Sequence, residues 1–302
     1  MEIVSVLAQQ IGVMFALMAV GYALCQCAVI GEDVTKGLGK LLLNVVIPIV
    51  IVKSFWIGYS PERALAIGVT FLVSAMTLAL SVLIGRVIFP HDSIAEFSSA
   101  FSNAGFIGIP LVSATFGEES VLYIVSLIAM LNISQWTYGQ SRLSEGRKPV
   151  DLRGILLSPM MIGCVLGVAL FVTDCPKPGP VASFVDDLAA LNTPLAMMVL
   201  GAYLANGSVS KLVRNRRLYL VSAVRLLLVP AATVALMWVI PCPTDIKLAI
   251  LLAASAPTGA NVAIFSQQLG KDSSYACGLV CMTTLLSLLT LPLVTGVGSL
   301  LL

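Results

Sequence analysis

Three observations predict an all-α membrane protein of ten transmembrane helices, arranged as two inverted five-helix repeats with broken helices 4 and 9. The first is composition. Of 302 residues 58% are apolar and only 11% are charged, against about 25% charged in an ordinary soluble domain. So few charges cannot cover a soluble surface, and the mean hydropathy of +1.00 excludes a disordered chain. The net charge of +2 and the lack of long basic runs exclude a nucleic-acid partner. The bilayer is the expected environment.

The second observation is the spacing of apolar stretches. A crossing helix needs about 20 apolar residues. Ten such stretches occur, at 4–27, 37–56, 64–89, 95–116, 119–141, 154–173, 183–205, 216–240, 246–269 and 274–299. The first lacks a basic leader and a small-residue cleavage site, so it reads as a retained helix. Orientation follows the cationic residues. Twelve fall on one side (Lys36, Lys40, Arg86, Arg142, Arg147, Lys148, Arg153, Lys211, Arg214, Arg216, Arg217 and Lys271) and four on the other (Lys53, Arg63, Lys177 and Lys247). The richer side is expected to be cytoplasmic, which puts both termini outside a bacterial inner or plasma membrane.

The third observation is a weak internal repeat. Phe116-Gly117-Glu118-Glu119-Ser120 is echoed 153 residues later by Leu269-Gly270-Lys271-Asp272-Ser273. The same offset sets Asn103-Ala104-Gly105 opposite Ala256-Pro257-Thr258, and Gly108 opposite Asn261. Asn44 and Pro48 in the second span likewise echo Asn192 and Pro194 in the seventh. The repeats are expected over 1–145 and 146–302. Five spans per repeat is odd, so the second must sit upside down, a plan common among secondary transporters.

The fourth and ninth spans carry the functional signal. Ser102 to Pro110 places an Asn, two glycines and a proline mid-helix, and Ser255 to Asn261 does the same in its half. Proline removes a backbone donor and glycine costs about 1 kcal/mol in a helix interior. Broken backbone is tolerated at that depth only inside protein or beside water. Half-helix N-termini there offer free N–H groups and a positive dipole end, which suits an anion. A plain proline kink packed through glycine is the competing explanation. The expected substrate-contacting residues are Asn103, Gly105, Gly108, Pro257, Thr258 and Asn261, with Asn44 and Asn192 on the facing helices. Pro110, Pro257 and Gly259 are the expected helix breakers.

At these residues the sequence resembles the auxin efflux carrier family, which includes plant auxin carriers and bacterial malate or malonate permeases. The segment Phe101–Leu111, FSNAGFIGIPL, with Phe116-Gly117-Glu118-Glu119 is similar to that family's fourth helix. Thr193-Pro194-Leu195-Ala196 with Gly201, Ala256-Pro257 through Phe265, and Thr284–Pro292 (TLLSLLTLP) are similar to the seventh, ninth and tenth. The resemblance implies the ten-helix fold of bile-acid symporters and sodium/proton antiporters. It implies a scaffold of helices 1, 2, 6 and 7, and a moving transport domain of helices 3–5 and 8–10. It further implies elevator-type export or exchange of a small organic carboxylate, and a homodimer built through the scaffold. Three departures stand out. Only residues 142–153 separate helices five and six, where plant carriers have a long regulatory loop. Ser102 replaces the proline of the plant pattern, which predicts a softer first break. Helix three holds no carboxylate, so an acidic coupling site there does not carry over, and the coupling ion stays open between sodium and proton.

The remaining polar residues sort by depth. Arg225 lies inside the eighth span and is expected either to snorkel to the cytoplasmic interface or to line the pathway as a charge. Glu96, Asp186 and Asp187 fall at span ends and are expected at the interfaces. Seven cysteines and the sole histidine, His91, make no metal set, and no cofactor is expected. Cys175 and Cys242, both in loops on the predicted outer side, are candidates for a disulfide. An enzyme would need a nucleophile with a base, or paired carboxylates, at one depth, and neither exists. A secondary carrier of a small organic anion is the expected function, with a transporter-like membrane sensor or an anion channel as the alternative.

Overall fold

The computed structural model describes residues 2–146, 152–206 and 215–302. Arg147, Lys148, Lys211 and Arg214, counted above for orientation, lie outside the described residues. The elements are α1 (Glu2–Gln26), α2 (Glu32–Phe55), α3 (Pro61–Ile88), α4 (Ser93–Ala100), α5 (Ala104–Phe116), α6 (Glu118–Leu143), α7 (Leu152–Leu156), α8 (Pro159–Val172), α9 (Gly179–Ala190), α10 (Asn192–Asn206), α11 (Arg216–Val239), α12 (Thr244–Ala254), α13 (Asn261–Gln268) and α14 (Ser273–Leu301). Among the described residues there is no strand. Among the described residues, seven segments are long and apolar enough to cross a membrane, those of α1, α2, α3, α6, α9 with α10, α11 and α14. The chain is an all-α multi-pass membrane protein.

The other three expected spans are not single long helices. The fourth divides into α4 and α5, the ninth into α12 and α13, and the sixth is the 14-residue α8 preceded by the short α7. The polar Ser98-Ser99 and Ser102-Asn103 flank the first break, and the Ser99 hydroxyl donates to the Glu96 carbonyl at 3.0 Å. Phe101 there is extended, at φ −106° and ψ 115°. The break is complete without the proline of the plant pattern, so the softer break expected from Ser102 is corrected.

Pro110 is also corrected as a breaker. It lies in the first turn of the regular helix Ile109–Phe116, directly after a π-helical turn at Ala104–Gly108. Two other π turns, Leu42–Val46 and Val224–Leu228, likewise stand just before Pro48 and Pro230. A proline cannot bond the carbonyl four residues back and its ring crowds that carbonyl. Widening the preceding turn by one residue relieves both problems without ending the helix.

Glycines set the closest helix crossings. A Cβ on Gly21 would lie 2.1 Å from the Met198 carbonyl oxygen, and one on Gly201 would lie 1.9 Å from that of Met18. Helices α1 and α10 therefore touch backbone to backbone, the packing mode favoured where lipid removes the hydrophobic drive between helices. Gly163 of α8 meets the Pro48 backbone of α2 in the same way, and Gly167 makes room for the Phe55 side chain. Facing outward are Leu65, Leu72, Leu83 and Val87 of α3 and Leu289 and Leu300 of α14. We expect Gly201→Val to lower the thermal midpoint in detergent sharply, since overpacking costs about 1–3 kcal/mol or more. Gly12→Val, where nothing lies within 4 Å, should leave it unchanged, and equal midpoints in the two variants would refute the crossing.

Candidate substrate site

The two broken segments meet. Ser102 and Thr258 form an antiparallel bridge, with Asn103 N–H donating to the Pro257 carbonyl at 2.8 Å and Gly259 N–H to the Phe101 carbonyl at 3.0 Å. Thr258 N–H donates to Thr283 Oγ1 at 3.1 Å, and its hydroxyl donates to the Ser98 carbonyl at 2.8 Å. Each break thus satisfies the backbone groups that the other exposes.

At this crossing lies a cavity of about 50 Å³, lined by Ser102, Asn103, Gly105, Gln135, Asn132 and Asn261 among others. Leu43 and Ile47 of α2 and Met160 of α8 supply its apolar wall. Helix α5 begins just after Asn103 and α13 begins at Asn261, so two helix N-termini converge on it. Asn261 Nδ2 donates to Gln135 Oε1 at 2.6 Å, and Asn132 Nδ2 donates to Ser158 Oγ at 3.2 Å. Asn103 is 6% exposed and its Nδ2 has no partner. A buried donor left open costs about 1–3 kcal/mol, so this amide is poised for an acceptor in the cavity.

Of the expected contact residues, Asn103, Gly105 and Asn261 line this cavity. Gly108 instead packs against Ala253 of α12, Pro257 offers its carbonyl to Asn103, and Thr258 is wholly buried in the backbone pairing. Asn44 is exposed on α2. Its neighbours Leu43 and Ile47, four apart on one helix face, point to the cavity while Asn44 stands about 100° away. Asn192 belongs to a second cavity of about 620 Å³, lined also by Lys53, Trp56, Pro110, Ser113, Glu118 and Asp186. There Lys53 Nζ lies 2.7 Å from Glu118 and 3.2 Å from Asp186. Gln135 and Asn132 were not anticipated. Two amides three apart in the otherwise apolar Val121–Ser134 stretch and its continuation are the signal that marks them.

Two further expectations, for Arg225 and for the Cys175–Cys242 pair, are corrected. Arg225 neither snorkels nor faces a cavity. It is 1% exposed, and its guanidinium donates to the carbonyls of Ser99 at 3.1 Å, Ala256 at 3.0 Å, Ala100 at 3.4 Å and also Ala254. Glu96, at its span end, is buried within the protein at 1% exposed. Arg142 holds it with Nη2 at 2.7 Å and Nε at 3.0 Å, Arg86 Nη1 stands at 3.5 Å, and Tyr138 donates its hydroxyl. This carboxylate lies in the N-terminal half of α4, where the helix dipole favours it. All seven cysteines are free thiols, so Cys175 and Cys242 are not bridged.

A multi-pass α-helical protein with a polar cavity at paired helix breaks is, by class, a membrane transport protein rather than an enzyme. The chain belongs to the membrane transport protein family, the auxin efflux carrier-like group, whose model matches residues 6–152 and 147–295. It is similar to a Rhizobium meliloti (strain 1021) protein named "Putative malonate transporter", 26% identical over 242 residues, covering 76% of this chain and 74% of that one. It is also similar to an "Uncharacterized transporter" of Methanothermobacter thermautotrophicus, 24% identical over 291 residues, covering 92% and 93%.

Removing one partner of a buried ion pair costs about 3–5 kcal/mol. Glu96 is the buried member, at 1% exposed against 29% for Arg142. We therefore expect Arg142→Leu to lower the thermal midpoint strongly and Arg142→Leu with Glu96→Ala to recover part of the loss. A double variant no more stable than the single would refute the pairing.

Proposed function

We propose that the protein is a secondary carrier, by efflux or exchange, of a small organic carboxylate of the malonate or malate type. The observation that carries this reading is the unpartnered Asn103 amide in a cavity at two helix N-termini. A water needs roughly 10–15 Å³ of such space, so about 50 Å³ takes a carboxylate on a short carbon stem. The amides of Asn103 and Asn261 and the two dipole ends would receive the carboxylate oxygens. The name of the Rhizobium relative agrees with this substrate class.

The mechanism we favour is elevator-type alternating access between two inverted repeats, 1–145 and 146–302. The turns at Gly117 and Gly270, equivalent in the repeat, share a positive φ, at +90° and +65°, which supports that division. The close pairs α1 with α10 and α2 with α8 support a scaffold of the first, second, sixth and seventh spans. The remainder would move, with the larger cavity around Lys53 as its outer access. A homodimer through the scaffold and a bacterial plasma-membrane location with both termini outside complete the reading.

In proteoliposomes loaded with counter-substrate, uptake of labelled malonate or malate is expected to saturate. Asn103→Ala and Asn261→Ala should each cut it by about tenfold or more, one lost hydrogen bond to a charged group, with insertion intact. Normal saturable flux in both variants would overturn the site. Binding without flux would instead favour a sensor, and flux without saturation a channel.

A further inference from the structure

Arg225 is a buried cation with no carboxylate partner among the described residues. What surrounds it is oxygen of one kind. The Ser99 and Ala100 carbonyls end α4, the Ala254 carbonyl ends α12, and the Ala256 carbonyl lies in the second break. A helix C-terminus carries about half a negative charge. Two of them converging supply about one, which one guanidinium neutralises. A cage of carbonyl oxygens with one net negative charge is also what a hard monovalent cation takes as its ligand set.

We propose that Arg225 is a tethered cation filling a cation site built by the crossing helices, so that the carrier moves its carboxylate without sodium bound at the crossing. Arg225 is a positioning residue: it holds α4 and α12 at the distance that aims α5 and α13 at the substrate cavity. An arginine remains charged at any physiological pH, so this cation neither leaves nor titrates during a transport cycle. The transport part of this inference rests on the carrier reading above; the occupancy of the carbonyl cage does not.

Two measurements test it. In wild-type proteoliposomes, replacing sodium by choline at constant ionic strength is expected to leave counterflow unchanged, and a saturable sodium requirement would overturn the proposal. In purified Arg225→Ala, low-millimolar guanidinium is expected to raise the thermal midpoint saturably, while the wild type does not respond. Flux in that variant should fall by about tenfold or more and recover severalfold with guanidinium, the loss of one charge-assisted bond being worth at least that factor. A folded Arg225→Ala that ignores guanidinium would overturn the proposal. Should that variant not fold, Arg225→Lys is expected to keep stability and flux that Arg225→Gln loses, and equal behaviour of those two would overturn it. A wild type that carries no acid refutes the carrier reading and leaves the guanidinium measurement to decide Arg225.

Discussion

Every polar group of a broken backbone at membrane depth must find a partner within the protein, because lipid offers none. Two breaks set against each other solve most of this. Their extended strands pair as a minimal antiparallel ladder through Asn103 to Pro257 and Gly259 to Phe101. Four helix ends remain, and they fall into two kinds. The N-termini of α5 and α13 open on the cavity, while the C-termini of α4 and α12 close on Arg225. Packing around the crossing follows from that arrangement. Gly105 lets Ile47 approach to within 3.3 Å of where a Cβ would stand, and Gly108 does the same for Ala253.

The buried charges lock the half-helices from opposite ends. Glu96, near the start of α4, is clasped by Arg142 and Tyr138 of α6, and Arg225 takes the carbonyls at its finish. A helix of eight residues is too short to be stable alone. Held at both ends it becomes a fixed part of the crossing. Gly139 lets the same region close, since a Cβ there would lie 2.5 Å from the Phe97 ring, which in turn packs on Phe101 and Phe265.

Much of this was legible in the sequence, and its limits have physical causes. Span existence follows from composition alone, so the membrane class and the seven long spans emerge from apolar run length. Unusual composition in the fourth and ninth spans located the breaks, but proline misled about their position. Pro110 looks like a breaker, yet a π turn absorbs it, and the break falls ahead of it, between Ala100 and Ala104. Facing direction is harder to read. Asn44 matched Asn192 in the repeat, but a one-residue step turns a helix by about 100° and leaves it exposed. Glu96 sits at a span end by sequence, and only the fold brings Arg142, 46 residues away, onto it. Gln135 stands out as an amide three residues from Asn132 in an apolar helix, but only the fold sets it against Asn261.

The cavity carries no lysine or arginine among its lining residues, and this bears on how a carrier for an anion would work. A fixed cation in so small a space would form a charge-assisted pair with a carboxylate, worth more than an ordinary hydrogen bond, and would oppose release. Dipole ends and amides bind more weakly and leave no naked buried charge when the site empties, because their unmade bonds cost less than a desolvated ion. The protein needs a strong cation to join its half-helices, and it keeps that cation on the far side of the breaks. Separating the charge that holds the fold from the neutral donors that would hold the substrate lets one crossing be both rigid and reversible in binding.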